Sequence, residues 1–154
     1  MALALSTGLR NSMLDTASFQ DSLVNGVLYI YTGTQPSVDA AATGTLLLKI
    51  TVGSGTFAHG TATNGLNFGA ASAGVIAKST SEVWSGVAVA SGTAGWFRFC
   101  ANGTDSEPTD ADTTCKRFDG SIATSGAQLN MASTAITSGA TTTIDSFTVT
   151  LPAS

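Results

Sequence analysis

The fold class is decided by residues 45–52, which read TLLLKITV. Every second position carries an apolar side chain that falls on one face of an extended chain: Leu46, Leu48, Ile50 and Val52. The opposite face carries Leu47, Lys49 and Thr51. A period of two is typical of an antiparallel strand with one buried face. A slip of one residue would turn every side chain to the wrong face, so the pattern also fixes the register.

Other short runs of β-branched and aromatic residues follow the same pattern between turn residues. They are VLYIY (27–31), VWSGVAVA (83–90), WFRFC (96–100) and the C-terminal FTVTL (147–151), in which Phe147, Val149 and Leu151 are expected to point inward. Weaker strands are expected around Phe57, Leu66, Phe68, Ile122, Leu129 and Met131. Roughly eight short strands with regular turn signals predict an all-β fold, an antiparallel β-sandwich or jelly roll.

Residues 1–25 are the helical part of the sequence. Ser6 or Thr7 is a candidate N-cap, and Leu9 and Met13 follow at helical spacing. We predict one short helix or two turns, which form an N-terminal arm of the same domain as the strands.

Length and composition indicate a single domain, with residues 26–154 as its β-sandwich. No apolar run approaches the ~20 residues of a membrane helix, so no membrane partner is expected. The N-terminus lacks the basic leader and the long apolar stretch of a signal peptide, which predicts folding in the cytoplasm.

The charge content is low and acidic. More than half of the chain is Gly, Ala, Ser or Thr, only 10% is charged, and the net charge is −4. The six Lys and Arg residues are scattered, so no basic patch is available to neutralise phosphates, and nucleic acid is not expected as a partner. A sparsely charged surface instead predicts broad contacts with other protein subunits.

The sequence offers few groups for catalysis. His59 is the single histidine, and no Cys, Asp or Glu lies within ten residues of it, so a structural role is expected. No serine lies in a nucleophile turn, and no glycine pattern matches a phosphate-binding loop. A pair of carboxylates for glycoside cleavage remains an alternative, because Asp and Glu residues that are distant in sequence can lie close together in the fold. We predict a protein that is not an enzyme and has no cofactor.

Residues 96–120 are the most distinctive stretch. The runs FRFC (97–100) and CKRF (115–118) mirror each other, which predicts two paired strands joined by a long loop. A disulfide bond between Cys100 and Cys115 would stabilise the fold by roughly 3 kcal/mol. Two reduced thiols are the alternative in a cytoplasmic product.

The loop between these runs is acidic. Its carboxylates are Asp105, Glu107, Asp110 and Asp112. Clustered carboxylates suit hard cations such as calcium, but the spacing does not match an EF-hand loop. We expect a solvated, self-repelling loop tip and no bound metal, with these four residues as the alternative cation site.

Two groups of apolar residues are candidates for contacts with other proteins. The first is the apolar side of the arm: Leu3, Leu5, Leu9 and Met13. The second consists of Tyr29 and Tyr31, which share one face of a strand opposite Leu28 and Ile30. One of these two faces is expected to be less buried or to contact a neighbouring subunit.

Several short segments of the sequence resemble segments of small virion structural proteins of tailed bacteriophages. They are YTGTQP (31–36), DAAATGTLL (39–47), SGTAGWFRF (91–99) and the ending FTVTLP (147–152). The resemblance implies a capsid decoration or cement protein on the outer surface of the virion. Such proteins are commonly β-sandwiches that cluster as dimers or trimers and contact the major capsid protein.

Two alternatives remain at this point. The same resemblance fits a component of the tail, neck or tip of the virion. Trp84 and Trp96 favour a third hypothesis, a host-surface module that binds carbohydrate on an aromatic platform, although core packing explains aromatic residues in strands equally well.

Overall fold

A computed structural model describes residues 3–103, 108–109 and 111–151. The helices are α1 (Thr7–Asp15) and α2 (Phe19–Ser22). The strands, in chain order, are β1 (Ala4–Leu5), β2 (Val27–Thr32), β3 (Leu46–Val52), β4 (Val75–Ala77), β5 (Trp84–Val87), β6 (Gly92–Cys100), β7 (Arg117–Ala123), β8 (Leu129–Asn130), β9 (Ala135–Ile136), β10 (Thr141–Ile144) and β11 (Thr148–Thr150).

The described strands form two sheets. The main sheet has the order β1-β7-β6-β2-β3-β5-β10, with every neighbouring pair antiparallel, and two-residue strands β8 and β9 pair with β7 and β6. The second sheet pairs β4 with β11. The prediction of an all-β, sandwich-like fold with a short helical N-terminus is confirmed.

The main core lies between the inner face of the main sheet and the β4–β11 sheet. Its aromatic side chains are Phe19, Phe68, Trp84, Phe97, Phe99, Phe118 and Phe147. Phe68 contacts five of these rings, and the three shortest centroid distances are 5.2 Å to Phe99, 5.5 Å to Trp84 and 5.8 Å to Phe19. Tilted and edge-on pairs of this kind add about 0.5–1.5 kcal/mol each beyond the buried area. Six of the seven phenylalanines therefore stabilise one layer.

A second, smaller cluster covers the opposite face of β2. Its members are Val27, Tyr29, Tyr31, Phe57, Trp96 and Cys100. Tyr29 and Tyr31 share a face as predicted, but they are only 6% and 4% exposed, so the prediction that they form a contact surface is wrong. The cause is the loop after β3, because Phe57, which lies in that loop and not in a strand, packs over them.

A β-bulge changes the faces of the decisive strand. Ile30 pairs with Leu48, but the next residue, Tyr31, pairs with Leu46, which leaves Leu47 as the extra residue. Leu47 is consequently buried in the main core, and Leu46 packs against the second cluster. Simple alternation assigned both side chains to the wrong faces.

The N-terminal segment is an integral part of the sandwich. Strand β1 pairs with β7, and Leu9 is fully buried in the main core, so its prediction as a contact residue is wrong. Leu3, Leu5 and Met13 are partly buried and pack against the same core. The apolar stripe of the arm therefore faces inward and joins the segment to the domain.

Ser6 fixes the start of α1, as predicted. Its side chain accepts a hydrogen bond from the Leu9 N–H at 3.1 Å, and its hydroxyl donates to the Cys115 carbonyl at 2.7 Å. Gly8 sits directly against the Thr114 and Cys115 carbonyl groups, where any side chain would collide with the backbone. The glycine that lowers helix propensity is required for this close approach.

The C-terminal strand agrees with the sequence pattern except at its end. Phe147 and Val149 are buried, as expected. Leu151 is 44% exposed; it follows Thr150, the last residue of β11, and its N–H donates to the Gly74 carbonyl at 3.0 Å.

Candidate contact surface

The two cysteines are reduced and fully buried in the structure. The strand register sets Cys100 opposite Arg117, two residues beyond Cys115, so the mirror-like sequence does not place the cysteines opposite each other. The structure thus contains the reduced alternative, without the Cys100–Cys115 disulfide. Burial raises the pKa of the Cys100 thiol above its ordinary value, which keeps it protonated.

Of the four carboxylates in the acidic loop, Asp112 lies within the described residues. Asp105, Glu107 and Asp110 lie outside the described residues. The carboxylate of Asp112 is exposed and accepts a hydrogen bond from the Thr114 N–H at 2.7 Å, which lowers the pKa of Asp112. Within the described part of the chain, no group of three or more His, Cys, Asp or Glu side chains is placed to hold a metal ion.

His59 lies in the loop after β3, which covers the second cluster. Its Nε2 lies 3.1 Å from the Tyr29 hydroxyl, and its ring packs edge-on against Phe57 at 5.2 Å. These contacts fit the structural role expected for the single histidine.

Both tryptophans are fully buried. Trp84 donates from Nε1 to Glu82 at 2.9 Å, and Trp96 stacks on Tyr31 with a centroid distance of 4.7 Å. Neither ring offers a face to solvent, so the two tryptophans do not form the platform that the carbohydrate-binding alternative requires. Core packing is the correct explanation for these residues.

A buried ion pair organises the outer face of the main sheet. Arg98 donates from Nε and Nη2 to the two carboxylate oxygens of Asp119, at 2.8 and 2.7 Å, and neither side chain is exposed. The same guanidinium donates to the carbonyls of Ala40 and Pro108 at 2.8 and 2.9 Å. Burial raises the pKa of Asp119 to about 6, although Arg98 opposes this shift.

A second buried arginine extends this network. Arg117 donates from Nε to the Val38 carbonyl at 2.8 Å and from Nη2 to the Ala40 carbonyl at 3.2 Å. Asp39, in the same loop, accepts bonds from the backbone N–H and the hydroxyl of Thr7 at 3.0 and 2.7 Å. Charged groups thus fasten the loop around residues 37–40 to the sheet and to the start of α1.

The other half of this sheet face is open. The surface that we call the valine face consists of Val83, Val87, Val89, Thr141 and Thr143. Val83, Val87 and Val89 are 60%, 48% and 66% exposed, and Thr141 lies beside Val87 on the neighbouring strand. Among the described strands, β10 ends the main sheet and has no partner beyond it.

A shallow depression adjoins the valine face. Its volume is about 320 Å³, and its walls come from Tyr29, Leu46, Lys49, Thr51, Ser54, Gly55, Val87 and Val89. Lys49 is the one charged residue of this lining, and its Nζ donates to the Phe57 carbonyl at 3.3 Å. The result is a largely uncharged surface, rich in β-branched residues and with one lysine, next to a strand edge that has no partner among the described strands.

Sequence reasoning missed the residues of this surface. The alternation of Val83, Val87 and Val89 with Trp84 was visible in VWSGVAVA and indicates that the valines share a face. Nothing local shows that loops cover the sheet over β6, β7 and β2 but leave it open over β5 and β10. That difference depends on chain segments distant in sequence.

Comparison of the chain with family models, with curated proteins and with solved structures finds no match. Neither helix of the described residues has the length and hydropathy needed to span a lipid bilayer.

Proposed function

We propose that this chain is a non-enzymatic structural protein of a bacteriophage virion, which decorates the outer capsid surface and bridges major capsid subunits. The observation that carries the proposal is the valine face, three exposed valines beside β10, an edge strand with no further partner among the described strands. Exposed β-branched residues and unpaired strand groups favour binding to another protein surface or strand. Each bound copy would stabilise the assembled shell by mass action.

The placement of the charged groups supports the same function. Three charged residues are buried and bind one another or loop carbonyls: Arg98, Arg117 and Asp119. Their charges hold loops in place inside the fold and do not contribute to the surface. The surface that remains open over β5 and β10 is uncharged, as expected for a contact between subunits. Burial of both tryptophans counts against the carbohydrate-binding alternative.

Binding to capsids tests the proposal. Purified protein is added to capsids that were assembled without it, and capsid melting is followed by calorimetry. We expect the bound protein to raise the melting temperature of the capsid, and the double variant Val87→Lys/Val89→Lys to lose this effect because it places two charges in the contact. Val24→Lys is the matched control, since Val24 is 52% exposed but lies outside the valine face.

The copy number per virion separates the capsid from the tail. A decoration protein occurs in hundreds of copies, whereas a neck or tip component occurs in about a dozen, set by the symmetry of that part. Quantitative mass spectrometry of purified virions gives this number. About a dozen copies, or absence from the particle, would contradict the decoration role.

A further inference from the structure

One cation lies at the margin of the valine face. Lys49, on β3, lines the same shallow depression as Val87, on the neighbouring strand β5. These two strands are antiparallel, with Thr51 opposite Ser85. Two residues further along, the same register sets Lys49 beside Val87, which itself pairs with Thr141 on β10. The lysine, the valine and the threonine therefore form one row across a single face of the sheet.

The ammonium group of Lys49 is held by Phe57. Its Nζ donates to the Phe57 carbonyl at 3.3 Å and lies 6.0 Å from the centroid of the Phe57 ring. No carboxylate of the described residues forms an ion pair with Lys49. An ammonium group carries three N–H donors, so two of them remain for acceptors outside this contact.

A partner on the valine face would take water away from this ammonium group. Val87 and Val89 are 48% and 66% exposed and form part of the depression that Lys49 also lines. A protein that packs on these valines therefore covers the depression as well. Desolvation of an ammonium group that has one carbonyl acceptor is costly unless the partner supplies a negative charge.

We propose that the segment bound at the valine face presents apolar side chains to Val87 and Val89 and a carboxylate, from Asp or Glu, to Lys49. This inference rests on the proposed function, because it names the chemistry of the capsid segment that binds there. Charge complementarity selects this occupant, since the surface combines exposed valines with one cation. A nucleic acid needs a patch of several cations, which a single lysine does not provide.

A zero-length cross-link tests the pairing. The purified protein is bound to capsids that were assembled without it, and carbodiimide then couples amines to carboxylates that touch them. Mass spectrometry of the digested complex locates the linked residues. We expect Lys49 to be joined to an Asp or Glu of the capsid protein. A bound complex in which Lys49 stays unlinked, or is linked to a second copy of this chain, would overturn the proposal.

Variants of Lys49 measure the contribution of the ion pair. Lys49→Glu should weaken capsid binding at least ~100-fold, because it sets one carboxylate against another. Lys49→Arg keeps the charge and should bind within about tenfold of the unchanged protein. Lys116→Glu is the matched control and should leave binding unchanged, because it makes the same change of charge outside the valine face. Equal affinity of Lys49→Glu and Lys116→Glu, with both folded by circular dichroism, would contradict the ion pair.

The outcomes separate this inference from the proposed function. If the unchanged protein does not bind capsids, the proposed function fails and the acidic segment fails with it. If it binds, but Lys49→Met shows the same dependence on salt as the unchanged protein, only the acidic segment is wrong. We expect Lys49→Met, which keeps the apolar stem of the side chain, to lose affinity less steeply as salt rises, because salt screens an ion pair.

Discussion

Arg98 is a charged residue that acts as a core residue. Its side chain is inaccessible to solvent, and its donors are directed at Asp119 and at carbonyls from two separate loops. A buried guanidinium stabilises a fold only when its donors are satisfied, since desolvation of the charge is costly. Arg98 therefore acts by fixing the positions of the loops, more than by adding net attraction.

Removing one partner of this pair should be strongly destabilising. We expect Arg98→Met to lower the free energy of unfolding by about 3–5 kcal/mol, because Asp119 keeps a buried charge without its partner. The double variant Arg98→Met/Asp119→Leu should recover part of this loss. Urea denaturation measures both, with Arg10→Met as an exposed control expected within about 0.5 kcal/mol. A small effect of Arg98→Met would show that water reaches the site.

The same pair predicts a pH dependence. Asp119 has a pKa of about 6 in the folded state against an ordinary value of 3.8, so the folded chain holds the proton more tightly than the unfolded chain. The contribution of Asp119 to stability should therefore fall as pH rises from about 4 to about 6, by up to about 3 kcal/mol.

Asp119→Asn isolates this contribution. The difference in unfolding free energy between the unchanged chain and Asp119→Asn should move in favour of the variant as pH rises through this window. Urea denaturation at half-unit pH steps measures the difference. A difference that moves the other way would mean that attraction to Arg98 outweighs burial.

At the scale of elements, the sequence predicts where strands occur better than which face each residue takes. Strands β2, β3 and β6 lie where VLYIY, TLLLKITV and WFRFC predict them, because short β-branched and aromatic runs favour strands locally. The bulge at Leu47 has no local signal, because it arises from pairing with β2. The burial of Tyr29 escaped prediction for a related reason, since the covering loop is distant in sequence.

The bulge makes a quantitative prediction about two adjacent leucines. Leu47→Ala should lower the free energy of unfolding by about 2–5 kcal/mol, because Leu47 is fully buried in the main core. Leu46→Ala should cost no more than about 1.5 kcal/mol, because Leu46 is only partly buried beside the second cluster. Thermal or chemical denaturation of both variants decides between the bulged strand and simple alternation, which predicts the reverse order.

For the molecule as a whole, the sequence predicts the layered β-fold but not how its N-terminus is used. The apolar residues of the arm were visible, and an exposed contact was the expectation. Instead β1 pairs with β7, and Leu9 and Phe19 complete the core. A pattern of apolar residues shows that a surface is covered, but it does not distinguish the chain's own sheet from a partner.

Deleting residues 1–20 should unfold the domain. The deletion removes β1 from the edge of β7, takes Leu9 and Phe19 out of the main core, and removes the hydrogen bonds that Ser6 and Thr7 make with distant segments. Circular dichroism and near-ultraviolet spectra of the truncated chain should show loss of cooperative unfolding. If the truncated chain melts cooperatively, the N-terminal segment is an arm that the β-sandwich does not need for folding.

The pairing of Ala4 with Asp119 also sets the order of events during synthesis. The second residue of this pair leaves the ribosome more than a hundred positions after the first, and few of the central contacts are local. Strand β1 of the nascent chain therefore stays without its β7 partner until about three quarters of the polypeptide has been translated. Folding to the native state is expected to be slow and to begin only near the completion of the chain.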